Sequence, residues 1–388
     1  MCCDLLELLG GVSDGRSSQG RDHPAAVVLT LAAAAVVAGM KGYTAITGWV
    51  RDVPAVVLAD LYVRAGARVC PPVGPPSKTT IWRVLSEADA EAFDAVVGQW
   101  LMSLAGFITP PPASADSPSD SAGRGALMQV RLDGKTLRGA KDAEGNQTHL
   151  LAALVGPDAA TSVVAAQTEV GAKTNEVPMA TTVLDQIDLT NKIVTADALH
   201  TVKATADHIH QHGGHFVLPV KENRQTLFDA LDALPWNDVP IAHRNVDKGH
   251  GRITTRTIQV LPAPPDLPFP HVNQVFLIER YVNDRHGQPI SAVAALGVAS
   301  PPPDQTSPED LAGYVREQWS IESLHWIRDT LYQEDKSQTR TRSGPRIMAT
   351  LRNLAISALR LAGRTDITEA TRWATRRMDR PFTILGLT

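Results

Sequence analysis

Cysteine, aromatic residues and long apolar runs are all scarce in this sequence. The three cysteines, Cys2, Cys3 and Cys70, are too few for a disulfide scaffold, and no second cysteine pair or histidine spacing completes a zinc site. The longest apolar run, residues 25–40, is rich in alanine and shorter than a membrane span. We therefore favour a buried helix there over a targeting or membrane segment, and we expect a cytoplasmic protein.

Net charge is also small, at −4 over 388 residues, and by itself argues against a protein that binds nucleic acid. The average hides a segregation of charge along the chain. From Lys336 onward there are eleven Lys and Arg against three Asp and Glu, a net charge of +8, so the preceding residues carry −12. The hydrophobic fraction of 43% excludes a wholly disordered or collagen-like chain, and the length favours two or three domains.

Residues 109–126 are rich in proline, serine and aspartate and lack apolar periodicity, which predicts a flexible linker. The residues before the linker have helical periodicity and predict a helical domain over 1–108. Its helices are expected over residues 25–39, 44–52, 54–65, 79–88 and 90–104.

One segment of this block, residues 77–85, predicts a short capped helix with Lys78 and Arg83 exposed. A basic helix after a Pro/Gly turn suits the reading helix of a helix-turn-helix motif. An ordinary packing helix explains the same pattern, and we consider it the more common case.

After the linker the pattern changes to short runs of β-branched and apolar residues, which predict strands. Strands are expected over 128–132, 149–155, 162–170, 192–196 and 215–220, with helices over 176–187 and 202–212. We expect a mixed α/β sheet in which the first three strands are antiparallel and the next two parallel. A β-rich segment, about 221–306, is then inserted before a long helix, with strands over 254–261, 274–282 and 290–299.

Three acidic residues lie where chemistry is expected. Asp133 and Asp197 each follow a predicted strand, and ligands bind beside strand ends in α/β sheets. Glu322 lies on a helix face that also carries Trp319 and Trp326, where an acid is anomalous and is either paired or functional. Three carboxylates would suit Mg²⁺ or Mn²⁺ and the hydrolysis of phosphodiesters, although spacing alone does not establish such a site.

The histidines are concentrated in one region, where they suggest a second kind of metal site. Two of them are four residues apart on a predicted helix, but no glutamate follows the first, so the pattern is not that of a zinc protease. We favour polar histidines at helix ends over a transition-metal site. The five are His200, His208, His210, His212 and His215.

Eight longer segments provide a stronger signal. They are LDGKTLRGA at 132–140, HLLAAL at 149–154, KTNEVP at 173–178, TADALHT at 195–201, FVLPVKENRQTL at 216–227, GHGRITTR at 249–256, REQWSIESLHWIRDTLYQED at 316–335 and RNLAISALRL at 352–361. In this order they resemble the H-repeat-associated transposases of As1-type insertion sequences. The apolar N-terminal block is similar to the domain associated with that family, so the resemblance covers roughly residues 5 to 365.

The resemblance implies a ribonuclease-H-like catalytic core, over 127–365, with a DDE triad of Asp133, Asp197 and Glu322. It implies that two Mg²⁺ or Mn²⁺ ions are held by these acids, with Asp133 bridging them. The reaction would be hydrolysis at the element ends, followed by attack of the exposed 3′-hydroxyl on target DNA. Glu334 and Asp335 are less favoured third acids.

The wider superfamily carries a Tyr-Arg-Glu-Lys signature around the glutamate, and this sequence departs from it. Asp329 occupies the place of the lysine, seven residues after Glu322, and we expect Arg316, His325 or Lys336 to substitute for it. Arginines after this helix, including Arg340, Arg342 and Arg346, are expected to follow the DNA backbone. A solvated face is the alternative for all the basic residues. The predicted DNA contacts are Lys78, Arg83, Lys135, Arg138, Lys221, Arg224, Arg252, Arg316, His325 and Lys336.

We therefore expect a bacterial insertion-sequence transposase that acts on double-stranded DNA, at its terminal inverted repeats and at the target. A homodimer or higher synaptic assembly on DNA, associated with the nucleoid, is the expected working form, and a basic tail over 366–388 is expected to end the chain. Two alternatives remain at this stage. One is an inactive DNA-binding remnant of a transposase, and the other is a metal-dependent nuclease on the same core.

Overall fold

A computed structural model describes residues 4–17, 21–67, 74–108, 127–142, 144–171, 174–249 and 251–387, so the predicted linker at 109–126 lies outside the described residues. The α-helices are α1 (Leu5–Leu9), α2 (Ala25–Val37), α3 (Tyr43–Arg51), α4 (Ala55–Arg64), α5 (Lys78–Glu87), α6 (Ala90–Leu104), α7 (Glu176–Leu184), α8 (Lys203–Gln211), α9 (Gln225–Asp232), α10 (Pro308–Glu317), α11 (Trp319–Thr330), α12 (Gly344–Leu361), α13 (Ile367–Thr375) and α14 (Asp379–Ile384). The strands are β1 (Met128–Lys141), β2 (Gln147–Gly156), β3 (Val163–Val170), β4 (Lys192–Thr195), β5 (His215–Val220), β6 (His243–Gly249), β7 (Arg252–Pro262), β8 (Gln274–Asp284) and β9 (Pro289–Ala299). In these residues no helix is both long enough and apolar enough to cross a membrane.

The chain forms two compact units, and neither is a single stretch of sequence. The first comprises residues 1–111, 134–175 and 321–388, and the second comprises 112–133 and 176–320. Strand β1 runs from the second unit into the first. The domains expected from the sequence are continuous stretches of the chain, whereas each compact unit combines several stretches. The predicted domain boundaries therefore stay a prediction.

The first unit is built around α2, in which all thirteen residues are buried. The helix is apolar on every side, as expected for a helix that is enclosed by protein, and it packs against α1, α3, α5 and α12. Helix α6 covers β3, where Gly98 allows close approach: a Cβ there would lie 1.9 Å from the Ala165 carbonyl oxygen. The residues 366–388, expected to be a basic tail, include α13 and α14, and Phe382 in α14 is fully buried.

In the second unit the strand order is β1–β4–β5–β9–β8–β7–β6. The strands β1, β4 and β5 are parallel, as predicted, and β9 joins β5 antiparallel. The short strands β4 and β5 are almost wholly buried and therefore read as continuous apolar runs. A buried cluster that includes Phe276, Leu311 and Tyr314 lies between this sheet and α10. Gly297 supports the cluster, since a Cβ there would lie 2.1 Å from the Phe276 ring.

The β-rich segment expected at about 221–306 precedes α10 and contains β6 to β9. Its strand β9 pairs with β5, and its other strands extend the same sheet. The strand β6 was not expected, because its sequence HRNVDKG is charged and has no apolar run. The α/β class with a mixed sheet and an N-terminal helical block is confirmed.

Candidate active site

The first two predicted acids lie on neighbouring parallel strands or just beyond them. Asp197 follows β4 as expected, but Asp133 lies within β1, which continues to Lys141, so the expectation that Asp133 ends a strand is wrong. In the pairing of β1 with β4, Arg131 is in register with Thr195. Asp133 and Asp197 each lie two residues further along, so the pairing register places them at the same level. The carboxyl ends of parallel strands meet at one edge of a sheet, where ligands bind. Asp133 is half-buried and Asp197 is exposed.

The loop that carries Asp197 is held in place by hydrogen bonds from one neighbouring segment. The Asp197 carboxylate accepts from the backbone N–H of Leu199 at 2.9 Å and caps a short 3₁₀ turn. Asn223 Nδ2 donates to the Ala198 carbonyl at 3.0 Å. Arg224 donates to the carbonyl of Thr201 at 2.8 Å and to that of Leu199 at 3.2 Å. The KENR segment therefore positions the loop of Asp197, and Arg224, predicted to contact DNA, also bonds to two carbonyls of this loop.

A buried histidine supports the same loop. His200 lies three residues after Asp197, is 1% exposed, and places Nε2 3.2 Å from Glu176 Oε2 at the start of α7. The motif KTNEVP, which supplies this glutamate, is thereby connected to the motif TADALHT. Sequence reasoning treated His200 only as one of five histidines.

Two buried polar side chains, Gln129 and Thr195, and the half-buried Gln318 form a hydrogen-bond network next to β1 and β4. Thr195 accepts from Gln129 Nε2 at 2.7 Å and donates to Gln318 Oε1 at 2.5 Å. Gln318 Nε2 donates to the Leu132 carbonyl at 2.9 Å. The end of α10 is thereby bonded to the strands that precede Asp133 and Asp197. This network was not predicted from the sequence. The glutamine inside the apolar segment MQVRL could have indicated it, because a buried amide needs hydrogen-bond partners.

Glu322 belongs to the first turn of α11, four residues after Gln318, and it is exposed. It is part of the first compact unit, whereas Asp133 and Asp197 belong to the second. The same helix exposes Trp319 and Trp326, 60% and 65% respectively.

Comparison with known proteins decides the family. The family described as "Transposase DDE domain" matches residues 129–358, more than half of the chain, and one described as "DDE_Tnp_1-associated" matches residues 6–101. The chain belongs to the DDE transposase family. Membership confirms the resemblance seen in the sequence and makes the protein a transposase, of a family that carries DNA cleavage and strand-transfer activity.

Individual relatives are consistent with the family. A Xanthobacter autotrophicus protein, "Uncharacterized protein in dhlA 3'region", is 30% identical over 63% of this chain and 76% of its own length. The "Putative transposase YncI" of Escherichia coli O157:H7 is 24% identical over 74% of this chain and 71% of its own length. The "H repeat-associated putative transposase YhhI" of E. coli K12 is 25% identical over 59% of this chain and 63% of its own length.

The lysine missing from the signature of the transposase superfamily has a spatial counterpart. Asp329, at that position in α11, accepts a hydrogen bond from Lys135 Nζ at 2.6 Å. Lys135 is only 8% exposed, and its Nζ is also 3.9 Å from Asp335 Oδ1. The predicted DNA contact at Lys135 is therefore a largely buried ammonium paired with carboxylates of its own unit.

The other predicted DNA contacts fall into three groups. His325 is 9% exposed and Arg224 is half-buried, so neither presents an open cation. Arg316 is exposed but lies 3.3 Å from Asp247, and Arg138 is exposed but lies 3.5 Å from Asp335. The remaining exposed predicted contacts are Lys78, Arg83, Lys221, Arg252 and Lys336.

Several C-terminal arginines of the transposase stabilise its interior. Glu334 is 1% exposed and is bonded by Arg328 Nε at 2.8 Å and by Arg352 Nη1 at 2.7 Å. Burial raises the pKa of Glu334, but the two guanidinium groups outweigh it and hold the pKa at about 2. A buried, doubly paired carboxylate is poorly placed to be the third metal ligand, which disfavours that alternative to Glu322.

A second acid in the same unit holds another arginine. Arg346 Nε donates to Asp94 Oδ2 at 2.6 Å, and both side chains are largely buried. Burial raises the pKa of Asp94 to about 6, against the lowering effect of Arg346 and Thr350. Arg346, expected to follow the DNA backbone, is bonded inside the protein instead.

Proposed function

We propose that Asp133, Asp197 and Glu322 are the catalytic acids of this transposase and that they bind two divalent ions, Mg²⁺ or Mn²⁺. The observation that carries the proposal is the register of the parallel strands β1 and β4, in which Asp133 and Asp197 each lie two residues after the paired residues Arg131 and Thr195. The bonds of Gln318 to Thr195 and Leu132 support it for Glu322, which follows four residues later in the chain.

The residues present fit such ions. All three donors are carboxylates, the oxygen ligands that Mg²⁺ and Mn²⁺ prefer, and all three have at least partial access to solvent. When bound, the ions stabilise the charge that develops at the phosphorus during in-line displacement.

The chain's own residues orient the acids and receive the DNA. Asn223 and Arg224 hold the loop of Asp197 by hydrogen bonds, and the contact between His200 and Glu176 also supports this loop. The exposed cations then contact phosphates of double-stranded DNA, both at the element ends and at the target. We propose a dimer or higher assembly on DNA as the active form, because joining two element ends to one target requires two active sites.

The test is cleavage of DNA that contains the inverted repeats flanking the gene, in Mg²⁺ or Mn²⁺. Asp133→Asn, Asp197→Asn and Glu322→Gln should each slow cleavage by about 100-fold or more, since each removes a ligand worth several kcal/mol of transition-state stabilisation. The matched controls Asp304→Asn and Glu309→Gln change exposed acids outside the site and should cleave at the wild-type rate.

The outcomes separate the alternatives. Undiminished cleavage by one of the three variants removes that residue from the triad. Cleavage by the wild type without joined products on a target plasmid indicates a nuclease. Binding of the end DNA without cleavage in either metal indicates an inactive remnant.

A further inference from the structure

Asp185, His208 and His212 form a cluster that the triad chemistry does not use. Asp185 directly follows α7, His208 lies in the last turn of α8, and His212 caps the end of that helix. Their potential ligand atoms all lie within 4.8 Å of one another. His208 Nε2 is 3.1 Å, and His212 Nε2 is 3.9 Å, from Asp185 Oδ1.

The ring nitrogens are oriented as metal ligands are. His212 Nδ1 donates to the His208 carbonyl at 2.8 Å, which leaves the lone pair of its Nε2 directed at the cluster. His208 Nε2 is excluded from solvent and lies 3.1 Å from Asp185 Oδ1. A ring nitrogen and a carboxylate oxygen at this separation are close enough to bind one ion together.

The distances fit a small ion. Zn²⁺ binds histidine nitrogen and carboxylate oxygen at about 2.0–2.1 Å, so two ligands of a tetrahedral ion are about 3.3 Å apart. The two measured distances to Asp185 lie on either side of that value. Two imidazoles select a borderline ion such as Zn²⁺ or Co²⁺ over Mg²⁺, which prefers oxygen ligands.

We propose that Asp185, His208 and His212 bind a divalent transition-metal ion, Zn²⁺ or one of similar preference, at a site separate from the acid triad. Three protein ligands leave a fourth position for water. The ion joins the end of α7 to the end of α8. Helix α7 carries Glu176, the partner of His200, and α8 follows the loop of Asp197. The ion therefore connects the helix before this loop with the helix after it.

The test is titration of untagged full-length protein with Co²⁺, read from the visible spectrum. Excess Mg²⁺ is present to occupy oxygen-ligand sites, and Cys2, Cys3 and Cys70 are changed to serine in every protein to exclude thiolate binding. The starting protein should bind one Co²⁺ with a tetrahedral spectrum. His208→Ala, His212→Ala and Asp185→Asn should each weaken binding by about 100-fold, because even loss of an outer-shell partner costs 10- to 100-fold.

Thermal unfolding gives a second, independent measurement. Added Zn²⁺ should raise the unfolding temperature of the starting protein and of the control His286→Ala, whose ring is exposed on a turn. It should leave the unfolding temperature of His208→Ala unchanged. Equal Co²⁺ affinity in the starting protein and the double variant His208→Ala/His212→Ala, or an equal Zn²⁺ effect on both, overturns the proposal. Neither measurement uses DNA cleavage, so the result is independent of the triad assignment.

Discussion

Replacing Glu334 by glutamine removes the charge from a carboxylate that is enclosed by two arginines. The variant keeps the shape of the side chain, but its amide group offers one acceptor where two guanidinium groups need one each. Arg328, Arg352 and Glu334 are all nearly inaccessible to solvent, so water cannot replace the lost charge. Breaking a buried ion pair by removing one partner typically costs about 3–5 kcal/mol.

The lowered pKa of Glu334 gives a second value for the loss of folding free energy. It falls from an ordinary value of 4.5 to about 2 in the folded protein. A difference of 2.5 pKa units corresponds to about 3 kcal/mol of stability. Because the folded pKa lies below the unfolded one, the unfolded chain binds more protons between these values. The contribution is therefore fully present above pH 4.5 and is lost as the pH falls toward 2.

The assay is equilibrium unfolding in urea, followed by tryptophan fluorescence, for wild type and Glu334→Gln at pH 7 and pH 3. At pH 7 the variant should be less stable by about 3 kcal/mol. At pH 3 the gap should narrow to about 1 kcal/mol, because protonation has already removed most of the wild-type contribution. Asp94 also titrates over this range, but it does so in both proteins and cancels in the difference.

Two results would refute this reasoning. A gap of the same size at pH 3 and pH 7 would show that the substitution acts through packing and not through charge. The absence of a gap at pH 7 would show that the two arginines do not depend on the carboxylate. The exposed-site variant Glu309→Gln serves as the control and should match the wild type at both pH values.

Two further predictions concern the backbone around the site. Asn223→Ala should slow DNA cleavage by about tenfold, because it removes the hydrogen bond to the Ala198 carbonyl in the loop of Asp197. The urea midpoint of unfolding should be nearly unchanged. Equal cleavage rates for variant and wild type would mean that the loop does not need this hydrogen bond. Gly139→Ala should lower stability by about 1–3 kcal/mol, since its Cβ would lie 2.3 Å from the Ser337 carbonyl oxygen. The measurement is the thermal unfolding temperature, and an unchanged value contradicts the prediction.

Local periodicity predicted most of the elements. The helix α6 and the strand β5 have the bounds expected from the sequence, because each is a continuous apolar pattern between clear end signals. The strand β1 was expected to end at Leu132 but continues to Lys141, through residues whose polar pattern does not resemble a strand. The strand β6 was missed for the same reason: it is a charged edge strand, and exposed edges avoid apolar sequence.

Long-range pairings could not be predicted from the sequence. Thr195 bonds to Gln318, 123 residues away, and Arg346 bonds to Asp94, 252 residues away. The local sequence around Thr195 or Arg346 does not identify a partner so far away in the chain. The net charge of +8 from Lys336 onward accordingly overstated the basic surface, because Arg346 and Arg352 neutralise buried acids.

The enclosure of α2 has a consequence for synthesis of the protein. Its apolar surface is covered in part by α12, which begins about 300 residues later in the chain. At a translation rate of about 5–20 residues per second, α2 leaves the ribosome roughly 15 to 60 s before α12 does. During that interval the apolar surface of α2 that later packs against α12 must be shielded from water by chaperones or by neighbouring helices. A transcript that ends before α12 therefore yields a chain in which the part of the α2 surface that packs against α12 has no cover from that helix.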